Sequence, residues 1–190
     1  MKGLFLLLVV VGATSMAFAQ SGKSDGAALS PPGLRDLAWL TGRWEFEDRA
    51  VTASDTYAEK GTRQCEWALD EQYIRCESRG VINGRARTYV FYFNWNKLDN
   101  RFEMVALHGN YPRKTFFTIK VSEQGRRLDL LSEKTTRDGI ASQSWGTIRY
   151  DGQDKLSWET RINRSDQPPD SWNLLYREES RRFVPSVEPK

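Results

Sequence analysis

One histidine, two cysteines and no recognisable catalytic motif leave this chain of 190 residues few routes to chemistry. It contains no Gly-x-Ser-x-Gly, no His-Glu-x-x-His, no phosphate-binding loop and no Cys-x-x-Cys, the spacings that would place a nucleophile, a zinc pair, a nucleotide or a redox couple. Carboxylates are plentiful, but none forms an acid–base pair by spacing. No catalytic residue, metal or cofactor is therefore expected. Charge of one sign is lacking too: 28 Lys and Arg are interleaved with 25 Asp and Glu, for a net +3. A mixed surface of that kind argues against a nucleic-acid partner. Long apolar runs are confined to the N-terminus, and none reaches the ~18 residues of a membrane span, so no stable membrane anchor is expected.

What the N-terminus does contain is an export signal. Lys2 precedes the apolar stretch Leu4 to Val11, and Ala17-Phe18-Ala19 follows as the small-x-small pattern of a signal-peptidase site. Residues 1–19 read as a signal peptide and the mature protein as periplasmic or secreted; no cysteine follows the cleavage site to carry a lipid. Residues 20–33, rich in Ser, Gly, Ala and Pro, read as a flexible linker, leaving one domain over 34–183 and a tail over 184–190.

Within that domain, Leu34, Leu37 and Leu40 recur at roughly helical spacing after Pro-Pro-Gly. Beyond Gly42 the pattern is all strand. Runs of aromatic and β-branched residues alternate with turn signals, predicting strands at 43–51, 58–69, 72–82, 85–95, 101–108, 113–122, 126–133, 141–150, 155–162 and 171–178. Asn83-Gly84 is the strongest hairpin signal among the turns. A reversal at Asp70-Glu71 would set Cys65 opposite Cys76, close enough for a disulfide in an oxidising compartment. The other reading, a thiol or metal pair, lacks third and fourth ligands.

The turns can be combined. Reversals at 70–71, 83–84 and 97–100 put Arg63, Cys65 and Trp67 on one face with Ser78, Cys76 and Ile74. The same face continues through Tyr89, Phe91, Phe93 and Trp95 to His108, Ala106, Met104 and Phe102. The opposite face is mostly polar, and a one-residue slip would turn its charges inward. No amphipathic helix is available to cover so apolar a face. The expected fold is therefore an all-β, antiparallel up-and-down barrel of eight to ten strands with a short N-terminal helix.

Trp39-Leu40-Thr41-Gly42-Arg43-Trp44 carries a Gly-x-Trp into the first strand and resembles the lipocalin and wider calycin signature. The whole pattern, with its closing Ser-Trp and Tyr-Arg segment, is similar to the exported bacterial DUF1579-type proteins. That resemblance implies an Arg or Lys from the last strand lying over Trp44 at the closed end, and Arg177 matches by position. It also raises haem, which nitrobindin-type calycins bind through a histidine. Their glycines after the motif Trp are replaced here by Glu45-Phe46-Glu47, which argues against haem.

Under these registers Arg63, Ser78, Arg87, Tyr89 and His108 project inward at the open end, with Trp67, Ile74, Phe91, Phe93 and Met104 deeper. Polar groups at a mouth above an apolar floor suit a small apolar or amphipathic ligand, bound without catalysis. Two alternatives stand beside this: an envelope structural or interaction module with a packed lumen, and a calycin-fold enzyme.

Overall fold

The structure, a computed structural model, describes residues 33–50, 58–109 and 113–184. The expected signal peptide, nearly all of the linker and the end of the tail lie outside these residues.

Among the described residues eleven strands follow one helix: β1 Gly42–Ala50, β2 Ala58–Ala68, β3 Tyr73–Ile82, β4 Arg85–Asn96, β5 Arg101–His108, β6 Arg113–Ser122, β7 Arg127–Ser132, β8 Thr135–Arg137, β9 Ile140–Tyr150, β10 Lys155–Arg164 and β11 Asn173–Arg182. Every pairing is antiparallel, and the sheet closes because β10 pairs with both β9 and β11 while β11 returns to β1. Ten strands form the wall. The eleventh, β8, is a three-residue strand hairpinned onto β9 and was not expected.

The turn-derived registers hold. Cys65 opposes Cys76 and the two are disulfide-bonded, Ser78 opposes Tyr89, and Tyr89 opposes His108. Asn83 and Gly84 both have positive φ, 49° and 74°, as the mirror-image turn between right-twisted strands requires.

The helix, Leu34–Leu40, is a 3-10 helix. Three residues per turn put positions i, i+3 and i+6 on one line, and Leu34, Leu37 and Leu40 occupy that line, all buried. They stop one end of the barrel. Trp39 completes the stopper: its Nε1 donates to Gly125 O at 2.8 Å and its ring stacks on Tyr150 at 5.1 Å. Behind them Trp44 is fully buried and donates from Nε1 to Leu40 O.

The arginine over Trp44 is Arg182, not Arg177. Arg182 Cζ lies 4.3 Å from the ring centroid, and the same guanidinium donates to Thr41 O at 2.6 Å and Trp39 O at 3.0 Å. β11 runs four residues past the predicted end, so Trp44 is opposed by Arg182. Arg177 sits opposite Arg49 and Glu159 on the outer face, where its Nε donates to Glu159 at 2.8 Å. Arg182→Ala is therefore expected to lose about 2–3 kcal/mol in denaturant unfolding, from a stacked cation and charged hydrogen bonds. Arg177→Ala, which removes only an exposed ion pair, should lose less than about 1 kcal/mol.

Candidate functional site

The inward-facing side chains of β1 change character along the strand. Trp44 and Phe46 are followed, in the same phase, by Asp48 and Ala50, all buried. β2 does the same in reverse, from buried Glu59 through Arg63 to Cys65, and β11 contributes Glu178 and Ser180. The barrel is thus filled in two storeys. Next to the helix its interior is solid, packed with Ile74, Phe93, Phe102, Leu128, Ile148 and Leu156 among others. Toward the other end a cavity of about 310 Å³ remains.

Arg63 forms the partition between them. It is only 6% exposed, and its guanidinium lies 5.2–5.6 Å from the ring centroids of Phe46, Phe91 and Trp158. Its Nε donates to Ser78 Oγ at 2.7 Å, and its Nη2 donates to Glu178 Oε2 at 2.7 Å. Ser180 Oγ donates to the other Glu178 oxygen at 2.6 Å. Arg63, Glu178, Ser78 and Ser180 form a closed set, which is what burial of an ion pair demands.

Two further carboxylates are less well provided for. Asp48 is 8% exposed and Glu59 2% exposed, and both line the cavity. Among the described residues Asp48 Oδ1, Glu59 Oε1 and Trp158 Nε1 are buried without a hydrogen-bond partner. Burial, reinforced by Glu178 and Glu59, pushes the Asp48 carboxyl up to about 7. Burial also raises Glu59, although Arg87 and a 3.4 Å hydrogen bond donated by the Tyr89 hydroxyl oppose the shift. Room for Glu59 exists because residue 80 is glycine: a Cβ there would overlap Glu59 Oε1.

Of the residues singled out from sequence, Arg63, Ser78, Phe91 and Met104 line the lower part of this cavity. Arg87, Tyr89 and His108, at the start of β4 and the end of β5, line it toward the mouth. Trp67, Ile74 and Phe93 do not line it. Ile74 and Phe93 belong to the solid core and Trp67 packs against it, because the stopper leucines occupy the lumen at that depth. His108 is half-buried, with its ring edge-on to Tyr89 at 5.6 Å, and burial together with Arg113 keeps its pKa below the ordinary value. It is therefore neutral near pH 7.

The acidic wall was missed in the sequence. Asp48 falls in phase with Trp44 and Phe46, and that alternation was the available signal. Glu178 becomes a neighbour of Asp48 only through closure of β11 onto β1, which no turn encodes. The described residues contain no group of three ligands able to hold a metal ion.

No family model and no curated protein matches this chain. The fold has a solved counterpart. The crystal structure of Rv2717c from M. tuberculosis superposes with a TM-score of 0.59 at 15% identity, over 82% of this chain and 100% of that one. A de novo designed fluorescence-activating β-barrel aligns over 77% of this chain and 95% of the design at 16% identity, with a TM-score of 0.39. At this identity the likeness to Rv2717c is one of fold alone. A closed ten-stranded antiparallel barrel with a helix across one end fits a lipocalin-like architecture.

Proposed function

We propose that this protein is an exported, non-catalytic binder of a small apolar or amphipathic molecule, and that the upper half of the barrel is its binding site. The observation that carries the reading is the cavity itself: about 310 Å³ lined by both aromatic and charged side chains. That volume is at the lower end of known ligand pockets, roughly 300–1,000 Å³, which favours a compact molecule over a long acyl chain. It also weighs against a lumen packed solid for a structural role. The disulfide is in keeping with an oxidising compartment.

Two measurements test the reading. Native mass spectrometry of protein purified from its own compartment should show a retained small molecule. A neutral naphthalene dye should gain fluorescence on the protein and lose it when Ser144→Trp fills the lumen; Ser144 lines the cavity, and its backbone rather than its hydroxyl makes the bond to Ser132. Absence of both a bound mass and a dye signal would sink it.

A second reading, catalysis by proton transfer, is favoured by one observation: a cavity carboxyl, Asp48, that titrates near neutrality. It is separated from simple binding by the retained molecule. If Asp48→Asn protein holds a chemically different compound from the wild type, the site turns it over; if it holds the same compound, it does not.

A further inference from the structure

The acids of the cavity are gathered on one wall. Asp48, Glu59 and Glu178 come from three adjacent strands, β1, β2 and β11. Following the closed order of the ten strands, the wall facing β1 is β6 with its neighbours β5 and β7. In its lower part that wall presents Met104, Ala106, Phe117 and Leu130, with Thr115, His108 and Arg113 toward the mouth. A ligand spanning the lumen would therefore meet acid on one side and hydrocarbon on the other.

Three arginines also line the cavity, but each has partners of its own. Arg63 is committed to Glu178 and Ser78. Arg87 lowers Glu59 and donates to the Tyr89 hydroxyl at 3.5 Å, while Arg113 is exposed at the rim and donates to Thr135. Arg63 lowers Asp48, but by less than either Glu178 or Glu59 raises it. Asp48 Oδ1, together with Glu59 Oε1, is a buried acceptor with no donor. Such atoms weigh on stability unless an N–H or O–H meets them, and a positively charged donor also relieves the repulsion among the carboxylates.

We propose, resting on the reading of the lumen as a ligand site, that the ligand is an organic ammonium ion: a compact amine whose N–H groups meet Asp48 and Glu59 and whose apolar body lies toward Met104, Phe117 and Leu130. The shape of the site selects against its relatives. A quaternary ammonium has no N–H with which to hydrogen-bond the carboxyl groups of Asp48 and Glu59. A carboxylate would be repelled by Asp48 and Glu59, whose own ionisation burial already opposes. A bare metal ion would find no triad of ligands among the described residues.

The test uses three molecules of one shape: 2-phenylethylamine, 2-phenylethanol and 3-phenylpropionate. Each is titrated calorimetrically and by dye displacement at about pH 8, where the amine is still protonated. The amine should bind at least about tenfold more tightly than the alcohol, with the carboxylate weaker than both. Asp48→Asn should reduce the amine's advantage to within about threefold and leave the alcohol unchanged, and Glu59→Gln should act in the same direction. Thermal unfolding of each variant confirms that it is folded. Equal binding of amine and alcohol by the wild type overturns the inference, as does an advantage that survives both substitutions. If the naphthalene dye binds but none of the three displaces it, the inference falls and the lumen remains a ligand site. If neither dye nor any of the three binds, both fall.

Discussion

Arg63→Met should destabilise this protein by about 3–5 kcal/mol, the expected consequence of removing one partner from a buried ion pair. The substitution keeps the length of the apolar stem among Phe46, Phe91 and Trp158 but deletes the cation 2.7 Å from Glu178. Glu178 is 4% exposed, and its remaining donor is the Ser180 hydroxyl. Three carboxylates would then face one another with no positive charge among them at that depth. Glu178→Gln should lose less, since Arg63 keeps Ser78 and gains influence over Asp48 and Glu59. The double variant Arg63→Met, Glu178→Met should be more stable than Arg63→Met alone, because a hydrophobic pair replaces an unpaired charge. Equilibrium unfolding in urea at neutral pH measures all three. A loss below about 1 kcal/mol for Arg63→Met would mean that the pair is hydrated and does not partition the barrel.

Asp48→Asn should raise stability, and by more at high pH than at low. In the unfolded chain the Asp48 carboxyl ionises at its ordinary value of 3.8, whereas in the folded protein burial and its acidic neighbours hold it to about 7. Between those values the folded state keeps a proton that the unfolded state has released. The contribution is therefore fully present below about pH 4 and is lost as pH rises through 7. Three units of separation amount to about 4 kcal/mol as an upper bound. Glu59 is displaced in the same direction. Carboxylates such as Glu77, drawn down chiefly by hydrogen bonds from Arg75 and Arg79, oppose it, so the wild-type profile alone is a sum of both kinds. The difference between wild type and Asp48→Asn isolates one group. Melting temperatures should diverge by about 5–10 °C at pH 8 in favour of the variant and converge below about pH 4. Parallel profiles would show that Asp48 is ionised and solvated in the folded state.

These two expectations concern residues with unequal histories in the sequence. Arg63 was placed in the lumen by turn chemistry, because the reversals at Asp70-Glu71 and Asn83-Gly84 each fix a register through short loops. Asp48 shares the phase of Trp44 and Phe46, but the connection from β1 to β2 carries no turn signal that would set it beside Glu59. Glu178 was out of reach for a related reason. Its neighbours across β1 are about 130 positions away in sequence, and a bulge between Thr160 and Arg161, opposite Tyr176 and Leu174, breaks the phase along β11. A strand predicted to end at 178 points to Arg177, whereas Arg182 lies beyond that end. The leucines of the helix were legible as apolar and regularly spaced, but their period of three was a 3-10 signature. The depth to which they fill the barrel, which removed Trp67, Ile74 and Phe93 from the cavity, is a matter of packing volume that no periodicity expresses.

The partition at Arg63 gives the two halves of the barrel different freedoms to change. Substitutions among the leucines, Trp44 and the residues packed on them act on a solid core, where a single lost methylene is felt throughout. Substitutions above the guanidinium alter a wall that already borders open space, so size and polarity there can drift while the fold is held from below. A lineage of such proteins would keep its stopper and its partition and diversify its cup. The same asymmetry makes the upper wall, from Ser142 round to Thr115, the natural place to write a new specificity into this scaffold.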